Sequence, residues 1–448
     1  VTQSLEPLIA EWRTHISEAA GMRAPDVEEL EAHLRDQIRD LGAAGLTEDE
    51  AFMVAVKRLG ELDELSREFA TADRSRLWRQ LVVGEGTELG TRSEGLLAAL
   101  GLAVLAAIAI QIPRILDMGP TAMETFYLRN TGLVVLPFLA WYFARKHRLT
   151  VTQAMLAAVP FLVGAAAMNL YPWGFSSSTE QLAGIHLPVA LWFAVGFTYM
   201  DGSWRSHERR MDFVRFTGEW FIYYVLIALG GGVLMALTTV ILEPAGPEVV
   251  QTVVEWVIPS GAAGAVVIAA WLVEEKQSVV ENMAPVLTMI FTPLFAVMLT
   301  TSAVVYAVSD LGSEFDREAI FVLDILLIVV LGLLLYGMSA REPTKPPGVM
   351  DRIQLVAVIG ALALDLMVLA SMVSRISELG VTPNRMAAIG LNLVLLVNLG
   401  WAAWLSARFV FARAPFHRLE RWQTGYLPVF ALWAAAVVLV LPLLFDFA

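Results

Sequence analysis

From about Gly95 to Ala448 the chain is filled by roughly eleven apolar stretches, each of a length that suits a bilayer, whose hydrocarbon core takes about 20 apolar residues to cross. The expected spans run near 95–116, 129–144, 151–170, 183–200, 213–242, 249–273, 284–309, 318–339, 351–374, 384–407 and 425–446. The second and fourth have the weakest apolar signal. In lipid an unpaired backbone amide costs several kcal/mol, so spans of this length are expected to be helices and not strands. The predicted fold class is therefore all-α: a polytopic helical membrane protein of about eleven spans, preceded by a small helical bundle.

Composition agrees, since 57% hydrophobic residues, 17% charged residues and a mean hydropathy of +0.63 lie far from an ordinary soluble domain. The absence of cysteine excludes disulfides, thiolate metal sites and cysteine nucleophiles, and the six histidines are scattered without metal-ligand spacing. No phosphate loop, zinc-protease pair or selectable serine, histidine and acid arrangement is present, so no catalytic residue, metal or cofactor is expected.

Residues 1–94 hold about 20 acids and 11 bases of the chain's 44 and 31, so most of the acidity precedes the spans. Leu5, Leu8, Ile9, Trp12 and Ile16 recur at helical spacing, as do Val27, Leu30, Leu34, Ile38 and Leu41 after Pro25. Thr47 and Glu50 form a capping-box signature ahead of Ala51, Phe52, Ala55, Val56 and Leu59, and Leu62, Leu65 and Phe69 follow. These runs predict a helical domain over 1–73 whose acidic exterior argues against nucleic acid. Over 74–94, Arg74, Arg76 and Arg79 alternate with Leu77, Trp78, Leu81 and Val82, a pattern that suits either a linker or a helix at the lipid headgroups. Gly84, Gly86 and Gly90 fit no nucleotide-binding spacing and read as a flexible joint. The transmembrane domain is expected over 95–448.

The charged opening lacks the basic start and apolar core of a secretory signal, which predicts a cytosolic amino-terminal segment. Alternate loops then place about fourteen basic residues inside, among them Arg145, Lys146, Arg205, Arg209, Arg210, Arg341, Lys345 and Arg408. Only Arg114, Arg129, Arg317, Arg375 and Arg385 fall outside, in the direction of the positive-inside rule, and the odd span number puts the carboxyl terminus outside. Tryptophans such as Trp141, Trp173, Trp204, Trp401 and Trp422 cluster near span ends as an aromatic belt does.

An ionisable side chain at a span centre costs about 2.5–3.5 kcal/mol on insertion scales, so each one marks a functional candidate. Glu255, Asp324 and Asn392 lie about two turns in from the outer surface, and Asp365 lies in the outer half of its span. With Arg375 and Arg385 they share one depth, which predicts an outward-facing polar cavity or a network of structural ion pairs. Arg375 and Arg385 are expected to face each other and either to pair with acids such as Asp365 or Glu378 or to bind an anionic headgroup or ligand. Glu219, near the inner end of the fifth span, is a secondary candidate, and His186 reads as a packed or interfacial residue. Gly230, Gly231 and Gly232, and Pro259, Ser260, Gly261 and Gly264, interrupt two spans; close packing is preferred there over an unwound binding site.

The segment GLTEDEAFMVAVKRLGELDELSREFA, residues 45–70, resembles the permease prefix domain, which is similar to the HAAS signalling module of bacteria. RISELGVTPNRMAAIGLNLVLLVNLGWAAWL, from Arg375 to Leu405, resembles a bacterial family of multi-pass proteins in which a turn like that of Gly380, Thr382 and Arg385 opens a late helix. The resemblance implies a bacterial cytoplasmic-membrane protein and transfers no catalytic residue. Prefix modules also occur on permeases of ATP-driven exporters and beside signalling regulators, so a cytosolic regulatory protein joins membrane lipids as an implied partner. Three readings follow: a permease-like transporter regulated by its cytosolic domain, a non-transporting membrane sensor or scaffold, and, with least support, a membrane enzyme acting on lipid-linked substrates.

Overall fold

The computed structural model describes Ile9, Glu31, residues 34–39, Leu41, Ala51, Phe52, Val54, Ala55 and residues 85–174, 177–275, 283–308, 317–341 and 345–448. The chain divides into two compact units, Val1–Ser93 and Glu94–Ala448. In the first, Ile9, Leu34, Ile38, Ala51 and Ala55 form a buried cluster with Leu41 and Phe52 packed against it. All seven are positions of the predicted apolar stripes. The Thr47–Glu50 cap, the run through Leu62, Leu65 and Phe69 and the arginine-rich segment 74–82 lie outside the described residues.

The helices that follow are α1 (Glu85–Ile110), α2 (Ile112–Ile115), α3 (Pro120–Lys146), α4 (Val151–Leu170), α5 (Ser178–Tyr199), α6 (His207–Leu242) and α7 (Pro247–Glu275). They continue as α8 (Met283–Val308), α9 (Arg317–Ser339), α10 (Val349–Leu379), α11 (Pro383–Val410), α12 (His417–Leu439) and the short α13 (Leu441–Leu444). Among the described residues there is no strand, and nine helices are long and apolar enough to cross a membrane. The other two of the eleven expected spans fall on α1, whose apolar part Gly95–Ile110 is shorter, and on α3. The α3 helix carries Glu124, Arg129, Arg145 and Lys146, which dilute its hydropathy, yet it buries Val135, Leu136, Leu139 and Phe143.

Local chemistry sets the helix starts. The Thr150 hydroxyl accepts from the Gln153 amide in a capping box, Ser177 and Ser206 cap α5 and α6, and Thr382 caps α11 with Pro383 in the first turn. The joint expected at Gly86 and Gly90 is absent, and the two glycine- and proline-bearing spans are not unwound. The α1 helix is continuous through Gly86 and Gly90, α6 through Gly230–Gly232, and α7 through Pro259 and Gly261. A glycine costs a helix about 1 kcal/mol, whereas unwinding in lipid leaves several amides unpaired, so continuity is the cheaper state within a span. Close packing does not explain the triple glycine either, because a Cβ at any of the three would meet nothing within 4 Å. A Cβ on Gly264 would make only ordinary contact with α1, 3.5 Å from the Ala103 carbonyl oxygen.

Two cores organise the second unit. One joins α1, α3, α4, α5 and α7 with the start of α6, around Phe143, Leu191, Phe213, Phe216 and Val267. The other joins α8 to α12, around Leu299, Leu327, Leu364, Leu395 and Leu427, and takes Met211 and Val214 from α6. Phe193 and Trp204 pack against both, so the start of α6 lies at their junction.

Alternating helix direction collects the arginine-rich connections on one face. There the Lys146 ammonium pairs with Glu274, Arg209 with Asp201, and Arg210 donates to the Thr424 carbonyl at 2.9 Å. Arg341 pairs with Asp351 at 2.9 Å and lies 4.6 Å from each of the Phe409 and Phe416 rings, which ties α9, α10, α11 and α12 at this basic face. On the opposite face the Ala448 carbonyl accepts from the Thr179 amide at 2.9 Å, and Arg129 pairs with Glu180 at 2.5 Å.

One close approach fixes how α11 meets α12. A Cβ on Gly390 would lie 1.8 Å from the Trp433 ring, so no larger residue fits without moving the indole or the helix. Gly390→Ala is expected to cost about 1–3 kcal/mol, read as a lower melting temperature in detergent. Gly400→Ala, where a Cβ meets nothing within 4 Å, should leave melting unchanged or slightly raised.

Candidate functional site

The α9, α10 and α11 helices each present a buried stripe to the second core, and Asp324, Asp365 and Asn392 lie on these stripes. On α10 the stripe runs Ala357, Ala361, Leu364, Asp365, Val368 and Met372, so helical spacing itself carries Asp365 inward. On α11 it runs Asn392, Leu395, Leu399 and Ala402, and on α9 Asp324 sits between Leu323 and Leu327. Asp365 and Asn392 are 0% exposed and Asp324 is 9% exposed.

Asn392 Nδ2 donates to Asp324 Oδ1 at 2.8 Å and to the Ala388 carbonyl at 2.8 Å. Asp324 lies near enough to Asp365 for their charges to interact. Neither carboxylate oxygen of Asp365, nor Oδ1 of Asn392, has a hydrogen-bond donor among the described residues. Three buried oxygens in one cluster thus lack donors. An unmade buried hydrogen bond costs about 1–3 kcal/mol, and more for a charged group, so the cluster is built at the expense of stability. What it lacks is hydrogen on oxygen or a small cation. Among the described residues no three His, Asp or Glu side chains converge as a metal site would require.

A second polar pair in the same core shows what satisfaction looks like. Asn398 Nδ2 donates to Gln423 Oε1 at 3.0 Å, and Gln423 Nε2 returns a bond to Asn398 Oδ1 at 3.2 Å. Both residues are fully buried, and Trp422 Nε1 donates to the Asn398 carbonyl at 3.1 Å. Sequence reading missed this pair. The signal available was that Asn398 falls on the α11 apolar stripe, but nothing in the order of residues names Gln423 as its partner.

Of the six residues predicted to share one cavity, the structure brings together Asp324, Asp365 and Asn392. Glu255 lies elsewhere, paired with Arg114 at 3.1 Å where Gln111 also donates to the Glu255, Trp256 and Ser260 oxygens of α7. Arg385 caps α10 by donating to the Leu379 and Gly380 carbonyls at 3.1 and 2.6 Å. Those carbonyls are left open where a helix ends, and a cation there is favoured by the helix dipole. Arg375 is half-buried on α10, ten residues past Asp365, and makes no ion pair among the described residues. The expected pairing of these arginines with Asp365 is therefore corrected: equal depth did not mean lateral contact. His186 bonds the Leu182 carbonyl at 2.8 Å within its own helix, as a packed residue would.

Glu219, 3% exposed on α6, belongs to a different place. It lines a cavity of about 330 Å³ among α3, α5, α6 and α7, with His147, Tyr199, Asp201, Arg209, Asp212 and Arg215. The cavity adjoins the basic face, where Lys146, Arg209 and Arg210 make their contacts. Its α6 wall touches α9, because Tyr336 packs directly on Gly218 beside Glu219. Comparison with models of known families, with curated proteins and with solved structures found no match.

Proposed function

We propose that this multi-pass membrane protein is a permease-like transporter whose Asp324–Asp365–Asn392 cluster takes up and gives off a proton during transport. The observation that carries the reading is Asp365: a fully buried carboxyl group, beside a second one, with no donor for either oxygen among the described residues. Two carboxyl groups in one apolar site do not comfortably hold two negative charges, and one shared proton relieves both repulsion and the missing hydrogen bond. An intramembrane acid of this kind is a common element of proton relays. Purely structural polar groups look different here, as the fully satisfied Asn398–Gln423 pair shows.

The cavity on the basic face supplies the second requirement, a solvent-accessible chamber on one side of the packed core. The Tyr336–Gly218 contact supplies a mechanical route, since Tyr336 and Asp324 lie on the same helix, twelve residues or about 18 Å apart. The resemblance of residues 45–70 to the permease prefix domain supports a regulatory role for the first unit, and the basic face fits a cytosolic orientation.

The test is proton movement in vesicles reconstituted with the whole chain and loaded with an impermeant pH dye. An imposed solute gradient, drawn from a panel of amines, amino acids and sugars, should drive acidification or alkalinisation with at least one solute, and Asp365→Asn should abolish it while inserting normally. Proton movement of equal size in Asp365→Asn, or none for any solute with the unaltered protein, would overturn the proposal.

A further inference from the structure

The geometry points to the α11–α12 connection on the basic face as a site for the headgroup of an anionic phospholipid, with an acyl chain lying along the outer face of α11. Leu393, Val397, Trp401, Trp404 and Arg408 recur at intervals of four, four, three and four residues, which places them on one face of that helix. The four apolar members are all exposed, so the chain leaves this stripe uncovered. Arg408 closes the stripe at the basic end, its guanidinium 4.9 Å from the Trp404 ring. From Arg408 to Val397 the helix rises about 17 Å, close to one leaflet of a hydrocarbon core about 30 Å thick.

Positive charge gathers at the same end. Arg408 Nη2 donates to the Arg413 carbonyl at 3.4 Å, and the Arg413 amide donates to the Arg408 carbonyl at 2.7 Å, so the turn that ends α11 holds these two residues together. Arg418 comes from the first turn of α12, four residues before Trp422, whose ring lies 5.8 Å from Trp401. Two neighbouring helices thus bring arginines to the basic end of one indole cluster. None of Arg408, Arg413 and Arg418 makes an ion pair among the described residues, whereas Arg209 and Arg341 of the same face do. From Trp404 to Trp422 the sequence holds four arginines and a single acid, Glu420, whose charge reaches His207 of α6.

The two halves of the surface select one ligand class together. The planar guanidinium fork matches phosphate oxygens, and basic groups at the membrane surface attract anionic lipid. A free phosphate would meet the arginines and leave the indole stripe unused. A zwitterionic lipid would cover the stripe but bring its own cation to a positive surface. An anionic amphiphile uses both, with its phosphate among Arg408, Arg413 and Arg418 and its chain against Trp404, Trp401 and Val397.

The experiment reconstitutes the full chain into vesicles of phosphatidylglycerol and phosphatidylcholine in equal amounts and identifies the lipid that stays bound by native mass spectrometry. Phosphatidylglycerol should exceed phosphatidylcholine at least about fivefold among the retained lipids, the preference that one arginine near an anionic headgroup supplies. Arg413→Gln with Arg418→Gln, both at exposed positions, should bring the two lipids near parity. Arg145→Gln with Arg205→Gln removes the same charge from exposed positions elsewhere on the basic face and should leave the preference unchanged. An equal loss in that second pair would mean a diffuse surface attraction and would overturn the site. Retention without preference in the unaltered chain, or an unchanged preference in the folded Arg413 and Arg418 variant, would do the same. Should that variant fail to fold, Arg418→Gln alone replaces it, and an unchanged preference there has the same consequence. Displacement of the bound lipid by an equal concentration of water-soluble glycerol phosphate would show that a free anion uses the arginines, and the lipid assignment would fall.

Discussion

Asp365→Leu is expected to make the protein more stable and to stop proton exchange. The side chain is fully buried among Ala361, Leu364 and Val368, and neither carboxylate oxygen has a donor among the described residues. Replacing an unsatisfied buried acceptor with an apolar group of similar shape removes a penalty of about 1–3 kcal/mol and orphans no donor among the described residues, since none of them donates to Asp365. The same change at Asp324 should behave differently. There Asn392 Nδ2 loses one of its two acceptors, so Asp324→Leu is expected to be neutral or destabilising. Thermal melting of the two variants in detergent checks the contrast. An infrared carboxylic-acid band that disappears in Asp365→Leu and shifts in Asn392→Ala would identify the proton carrier directly. A melting temperature that falls by many degrees in Asp365→Leu would mean that the acid holds the helices together, and the proton role would fall with it. Stability given up at one buried group and tolerated by the rest of the fold is a common mark of a working site.

The spans were legible because apolar length is a one-dimensional property: a helix that crosses lipid must show it along its own residues. Positions on a stripe were legible for the same reason, which is why Ile9, Leu34, Ile38, Ala51 and Ala55 form one buried cluster. Depth could also be counted, and Asp324 and Asn392 do meet. Lateral neighbours could not, because residues at one depth on different helices may stand side by side or on opposite sides of the protein. Glu255 and Arg114 illustrate it: both were visible as outer charges, but their pairing depends on α7 running beside the end of α1. Glycine and proline leave α6 and α7 unbroken for a physical reason. Gly230–Gly232 and Pro259 carry propensities measured in water, and lipid raises the cost of an open backbone above those penalties. The cavity around Glu219 was invisible in sequence because its walls come from four helices and from residues as far apart as His147 and Val273.

The Asn398–Gln423 pair allows the opposite kind of prediction, and with it a check on the logic applied to Asp365. Each amide satisfies the other across α11 and α12, so Asn398→Leu alone leaves Gln423 with a buried donor and acceptor unpaired, and Gln423→Leu alone does the same to Asn398. Either single change should cost about 1–3 kcal/mol. The double replacement removes both polar groups together and should recover most of that loss, giving a favourable coupling of about 1–2 kcal/mol in a double-mutant cycle. Amide pairs within membranes are often worth less than this, since an unfolded helix in lipid can find other partners. Additive single effects in the cycle would therefore place the polar groups of this core outside the balance of satisfied and unsatisfied bonds. The excess of acceptors at Asp365 would then lose its meaning as a sign of a bound proton, even if the residue proved important on other grounds. Strong coupling here, together with a gain in stability at Asp365→Leu, would separate the two polar clusters by what each contributes: one joins two helices, and the other exchanges a proton between them.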